Sequence, residues 1–199
     1  MRVTVFGASG RTGRRVVGQG LDRGHEITAF ARVASRFGTS HERLTIVEGD
    51  ARDPEAVATA VRGSDAIISV LALMKAEDEP EYSEATRTIV EAAEREGVRR
   101  IVVTANNDVF GDDEVTGEFA VYAREHRRNR ETLKASGLDW SIVAAGWVAD
   151  EPGTGSYRAV VDAKAAKRKI APGDFATAVL DALERDDWIG HIVGVTDAT

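Results

Sequence analysis

Five residues, RVTVF, lead straight into GASGRTGRRVV, in which Gly7, Gly10 and Gly13 stand three apart. This order constrains the fold more than any other feature of the chain. A short apolar run, a glycine turn and a helical pattern place a strand, a tight bend and a helix N-terminus end to end, as a parallel β-α-β unit begins. Such a junction also holds dinucleotide pyrophosphates. The turn needs bare backbone, and the helix start offers free N–H groups and a partial positive charge. The spacing is G-x-x-G-x-x-G and not G-x-G-x-x-G, and a strand-to-helix turn without a ligand is the alternative reading.

The rest of the chain repeats the alternation. Strands are expected at Arg2–Phe6, His25–Ala31, Leu44–Val47, Asp65–Val70, Arg99–Thr104 and Trp140–Ala145. Helices are expected from Arg11 to about Arg23, from Pro54 behind the N-cap Asp53 to Gly63, over Tyr82–Glu96 with Gly97 ending it, and over Phe119–Ala135. Short apolar strands separated by helices indicate a parallel sheet with right-handed crossovers. Toward the C-terminus, Thr154–Asp162 reads as an extended hairpin arm, Gly173 to about Arg185 as a helix, and Ile189–Val195 as a closing strand. Met74–Pro80 and Asn106–Gly117 read as loops beyond strand ends, where ligands bind in open α/β sheets.

Composition narrows the function classes. A net charge of −7 argues against non-specific nucleic-acid binding, which needs a basic footprint. The chain has no cysteine, which removes disulfides, thiolate catalysis and thiolate metal sites. The four histidines are scattered without metal-ligand spacing. No apolar run approaches the roughly 20 residues of a membrane span, and Val3–Phe6 is too short for a signal segment. The expectation is a cytoplasmic, single dinucleotide-binding domain over residues 1–199, with 147–172 supplying most of a small substrate lobe. The polar helix Phe119–Ala135 offers no wide apolar stripe, so a monomer or weak homodimer is expected.

Candidate site residues follow from position. After the second expected strand come Arg32 and Arg36, with no Asp or Glu between Ala29 and Thr39. A carboxylate there accepts from a ribose 2′-OH, whereas guanidinium groups bind a 2′-phosphate, so NADPH is expected over NADH. Arg11 adds a third cation. Asp50 either accepts from the adenine amino group or caps the turn before Pro54. Beyond the fifth strand stand Thr104, Ala105, Asn106 and Asn107. Tyr122 and His126 lie four apart, on one helix face, in the stretch YAREH. A tyrosine followed four residues later by lysine would be the usual proton-donor pair; here His126 stands in the lysine position. His126 is a general acid, a cofactor contact or a surface histidine in a charged helix. Trp147 and Tyr157 flank the expected C-terminal pocket, as stacking surfaces for a flat substrate or as core residues.

Taken in order, FGASGRTG, FAR, EGD, SGLDWSIV, TGSYRAV and KIAPGDFATAVLDAL resemble the atypical short-chain dehydrogenases. Within that group the pattern is similar to the NAD(P)H-binding flavin reductase/biliverdin-IXβ reductase-like and NmrA-like proteins. The resemblance implies a Rossmann doubly wound parallel sheet with helices on both faces, a small C-terminal substrate lobe and NADPH as cofactor. It places the pyrophosphate on Gly7, Ser9, Gly10, Arg11, Thr12 and Gly13, the 2′-phosphate on Arg32 and Arg36, and adenine beside Asp50. The nicotinamide falls beside Leu71, Ala72, Thr104 and Ala105. His126 matches the family's substrate-side histidine; from their positions in the sequence, Asn106 and Tyr122 join it as catalytic candidates and Asn107, Trp147 and Tyr157 as substrate contacts. Two departures line the substrate side: Ala105-Asn106 where such reductases carry Thr-Ser, and Ala145-Gly146-Trp147 where they carry a proline pair. The expected activity is hydride transfer from NADPH to a flat conjugated small molecule such as a flavin or quinone. The alternatives are an NmrA-like redox sensor without turnover and a non-redox, epimerase-type tailoring enzyme.

Overall fold

In strand β1 (Arg2–Phe6), Val3 and Val5 point to one side of the sheet and Thr4 and Phe6 to the other, and all four are buried. Both faces of β1 are therefore covered, as a central parallel strand requires. The computed structural model describes residues 1–37, 40–73, 80–112, 115–166 and 169–198. After β1 the elements are α1 (Arg11–Asp22), β2 (Glu26–Ala31), β3 (Leu44–Glu48), α2 (Pro54–Val61), β4 (Ala66–Ser69), α3 (Glu81–Glu96), β5 (Arg100–Asn106) and α4 (Ala120–Ala135). There follow β6 (Asp139–Ala145), β7 (Trp147–Val148), β8 (Tyr157–Val161), β9 (Lys169–Ile170), α5 (Pro172–Glu184) and β10 (Ile192–Asp197).

Eight strands form one sheet in the order β3-β2-β1-β4-β5-β6-β10-β8. All neighbours pair in parallel except β8, which runs antiparallel along β10. The order reverses between β1 and β4, which opens a crevice at the C-terminal ends of those strands. This is the doubly wound Rossmann arrangement. Helices α1 and α5 cover one face through Val16, Val17, Leu21, Phe175, Val179 and Leu180. The other face is covered by α2, α3 and α4 through Val57, Val61, Ile89, Val90 and Leu133. Polar ties lock α1 to α5: Arg23 pairs with Asp181 at 2.7 Å and Glu184 at 2.9 Å, and the buried His25 ring meets Glu184 at 3.0 Å.

Local chemistry fixes the ends of elements. Asp53 caps α2 by accepting from the Glu55 and Ala56 N–H groups, with Pro54 at the first helical position. Gly97 ends α3 in the left-handed conformation.

Three expectations are corrected. Residues 154–162 are not a hairpin arm: β8 is the antiparallel edge of the main sheet, and the Thr154 and Gly155 N–H groups before it are held by the buried Asp174 carboxylate. The closing strand begins at Ile192 and not at Ile189, because a 3-10 turn at Asp186–Trp188 buries the indole of Trp188 and Gly190 then turns the chain. The Asn106–Gly117 loop contains two 3-10 turns, Asn107–Phe110 and Gly117–Phe119, while Asp113 and Glu114 lie outside the described residues. Of the loop expected at Met74–Pro80, residues 74–79 also lie outside the described residues.

Helix α1 offers a paired test of packing. A Cβ on Gly13 would press into the Gly7 carbonyl and lie 2.8 Å from the Ala8 Cα, whereas one on Gly18 meets nothing within 4 Å. Gly18→Ala is expected to stabilise the protein by about 0.5–1 kcal/mol through helix propensity. Gly13→Ala should cost about 2 kcal/mol or more, because backbone must move. Urea unfolding of the two variants against the parent checks both signs.

Candidate functional site

The turn after β1 is shaped by backbone that leaves no room for side chains. Gly7 adopts φ +73°, and a Cβ there would lie 2.7 Å from the Val70 carbonyl oxygen of the neighbouring chain segment. The Gly10 N–H donates to the Gly7 carbonyl at 3.0 Å, and the Arg14 guanidinium braces the loop through the Ser9 carbonyl at 2.9 Å. Helix α1 then starts at Gly10 with no side-chain cap and no acidic residue in its first turn. Its leading N–H groups, including those of Arg11, Thr12 and Gly13, suit an anion from outside the chain.

Beside this turn opens a cleft of about 330 Å³ at the reversal of strand order. Of the expected cofactor residues it is lined by Gly7, Ser9, Gly10, Arg32, Asp50, Leu71 and Ala72. Arg32 is exposed at the end of β2. Arg36 ends the one-turn helix Ala34–Arg36, and its side chain lies outside the described residues. The Asp50 carboxylate accepts from the Arg52 N–H at 2.9 Å and from its guanidinium at 2.7 Å, and that guanidinium holds it below the usual carboxylate range. Asp50 thus shapes its own turn while it stays on the cleft wall. Arg52 also reaches Glu81, at the start of α3, at 2.7 Å.

On the other side Tyr82 closes the cleft. Its hydroxyl donates to the Thr104 carbonyl at 3.2 Å and shares a 3.4 Å hydrogen bond with His126 Nδ1, the rings meeting edge to face at 5.3 Å. Burial pushes the phenol pKa up and lowers that of His126 to about 4. His126 is therefore a buried, neutral imidazole and not a surface histidine. Next to it Glu125, fully buried, accepts from the Ser83 N–H at 2.9 Å and from Arg128 at 2.7 Å, which fastens the start of α3 to α4.

The remaining expected residues are dispersed. Asn106 caps the turn after β5, its amide oxygen accepting from the Asp108 N–H at 2.9 Å and its amide N–H donating to the Asp108 carboxylate at 3.1 Å. The Asn107 amide oxygen is buried without a partner among the described residues, Thr104 donates to the Ser69 carbonyl at 3.4 Å, and Ala105 is half-buried. Tyr122 is half-buried with its ring 6.5 Å from Phe119, so His126 meets Tyr82 instead. Trp147 is 69% exposed on the β7–β9 pair, and Arg11 donates to the next carbonyl, Val148, at 3.2 Å. Tyr157 turns its hydroxyl to Asp181 of α5 at 2.5 Å.

Sequence reasoning missed Arg52, Glu81 and Tyr82. The fork between Asp50 and Arg52 was open to a reading of local charge pairs two residues apart. Tyr82 gave no such signal, since its partners lie 22 and 44 positions away. Among the described residues no group of three or more His, Cys, Asp or Glu could hold a metal ion, and no helix is long and apolar enough to cross a membrane.

A family model described as NAD(P)H-binding matches residues 7–186. A 3-beta-hydroxysteroid dehydrogenase of Mycolicibacterium neoaurum is 40% identical over 131 residues, 59% of this chain but 36% of that protein. The chain spans only about a third of the length of the first curated relatives it matches. Among solved structures, the oxidoreductase ylbE of Lactococcus lactis superposes with a TM-score of 0.88 at 20% identity, covering 100% of this chain and 92% of that one. A short-chain dehydrogenase/reductase of Veillonella parvula, solved in complex with NADP, gives 0.83 at 20% identity over 99% of this chain and 94% of that one.

The buried imidazole carries a pH signature. The folded pKa of His126, about 4, lies below the unfolded value of about 6.5, so the unfolded chain binds the extra proton. The associated stability is complete above pH 6.5 and is lost as pH falls toward 4, by up to about 3 kcal/mol. His126→Gln should flatten that part of the curve, which thermal melts at pH 4.5, 5.5 and 7 will read.

Proposed function

The chain belongs to the NAD(P)H-binding family, and on that basis we propose that it is an NADPH-dependent oxidoreductase acting on a flat conjugated small molecule, a flavin or quinone. One observation carries this reading: the glycine turn, the uncapped start of α1, Arg32 and the Val70–Leu73 segment meet in one cleft at the strand-order reversal. The cradle fits a pyrophosphate, because the close approach of Gly7 to Val70 and of Gly13 to Ala8 leaves backbone bare where phosphate oxygens need it.

In this reading Gly7, Ser9, Gly10, Arg11, Thr12 and Gly13 hold the pyrophosphate. Arg32 and Arg36 take the 2′-phosphate, and Asp50 stands on the adenine side. Leu71, Ala72, Thr104 and Ala105 flank the nicotinamide, which when bound supplies a hydride. Residues 147–172 form the substrate lobe, with Asn107 and Trp147 as its substrate contacts, while the Tyr157 hydroxyl is taken up by Asp181 of α5. The chain itself contributes positioning and exclusion of water. Tyr82, backed by His126, holds the Thr104 carbonyl and closes one side of the cleft. With His126 neutral and Asn106 engaged as a cap, an acceptor whose reduced form is a delocalised anion can take its proton from water. The same engagement of Asn106 and His126 favours a second reading, an NmrA-like sensor that binds the dinucleotide without consuming it.

Titration calorimetry with NADPH and NADH, then NADPH oxidation with FMN, riboflavin and small quinones, separates these readings. NADPH is expected to bind at least about tenfold more tightly, the worth of a charge-assisted phosphate contact. Arg32→Ala should remove most of that preference and leave NADH binding nearly unchanged. Turnover on any acceptor supports the reductase; tight binding without turnover supports the sensor. Tight binding with Tyr122, His126 and Asn106 replaceable at no loss of rate would remove those three from the mechanism.

A further inference from the structure

Among the described residues, four charged side chains line the cleft wall: Arg32, Asp50, Arg52 and Glu81. Two are carboxylates, and a 2′-phosphate that brings nearly two negative charges would be repelled by both. The structure draws them to a single cation. Arg52 grips Asp50 as a fork, with Nη2 2.7 Å from one carboxylate oxygen and Nε 3.1 Å from the other, and it reaches a Glu81 oxygen with Nη1 at 2.7 Å. A planar guanidinium offers its donors along the edges, so one Arg52 can serve two carboxylates where a lysine would serve as a point charge. The charges on this wall also sense one another, since Arg32 is among the groups that keep Asp50 ionised.

We propose that Arg52 is a specificity-determining residue: by masking Asp50 and Glu81 it keeps the cleft hospitable to a 2′-phosphorylated dinucleotide, while Arg32 supplies the direct contact. This inference rests on the NADPH reading above and assigns it a second determinant, outside the strand-end arginines. Arg52 has a mechanical effect too, because it joins the turn after β3 to the first residue of α3 across the cleft. The two effects separate in measurement. Loss of the strap changes the affinities for NADH and NADPH by the same factor. Loss of the mask changes their ratio.

The experiment is a set of dissociation constants for NADPH and NADH with the parent chain, Arg52→Gln, Glu81→Gln and the double variant, at low and high salt. Arg52→Gln is expected to lower the preference for NADPH by about five- to tenfold at low salt, as bare carboxylates on the cleft wall repel a phosphate through a partly aqueous medium. Glu81→Gln should raise the preference, a gain that no folding defect imitates, and the double variant should restore part of what Arg52→Gln lost, since Asp50 stays bare. High salt should shrink each change. An unchanged ratio in Arg52→Gln, beside a parent chain that prefers NADPH, overturns the inference alone. A parent chain that binds the two equally overturns the NADPH reading and the inference with it. An Arg52→Gln variant weakened equally for both dinucleotides assigns Arg52 to the strap only and overturns the mask.

Discussion

The rest of the structure depends on how closely α1 is allowed to approach the end of β1. At Gly13 the helix lies against the backbone of Gly7 and Ala8, and at Gly7 the turn lies against the Val70 carbonyl. A single methyl group at either point would lift the helix from the strand. Because neither carries one, α1 begins directly over the crevice between β1 and β4. Its N-cap, Gly10, then lines the same space as Arg32 and the Val70–Leu73 segment. Position of the helix, width of the crevice and chemistry of its floor all descend from that contact.

The opposite wall is built on another principle. Where α1 meets β1 through absent side chains, α3 meets α4 through buried polar ones. Glu125 caps the start of α3 from the neighbouring helix, and the two residues after Pro80 present a carboxylate and a phenol to the cleft. Buried polar groups of this kind cost desolvation and give orientation in return.

Much of the fold was legible in the sequence because its signals are local. The apolar runs, Asp53-Pro54, Gly97 and the triple glycine each act on their own neighbours, and each element they imply is present. The C-terminal part was read less well for the opposite reason. Residues 154–156 take their shape from Asp174, about 20 positions on, and β10 starts late because Trp188 is drawn into the core. The site divides in the same way. Gly7, Gly10, Arg32 and Asp50 announced themselves by place in a β-α unit. Tyr82, Glu81 and the pairing of His126 depend on α3 and α4 lying side by side, which no spacing along the chain encodes. His126, which the sequence left as a general acid, a cofactor contact or a surface histidine, is turned inward together with its α4 neighbours Glu125, Asn129 and Arg130.

The pairing of α1 with α5 bears on how the chain comes together in time. The apolar stripe Val16, Val17 and Leu21 is covered by Phe175, Val179 and Leu180, more than 150 residues later. In a chain made from its N-terminus, β1, β2 and β3 can associate early, but that stripe has no cover until α5 has been synthesised. Loop closure over such a distance is slow compared with local helix formation. The helix that starts at the glycine turn thus depends for its cover on a segment far along the chain, and so does the dinucleotide cleft it helps to shape.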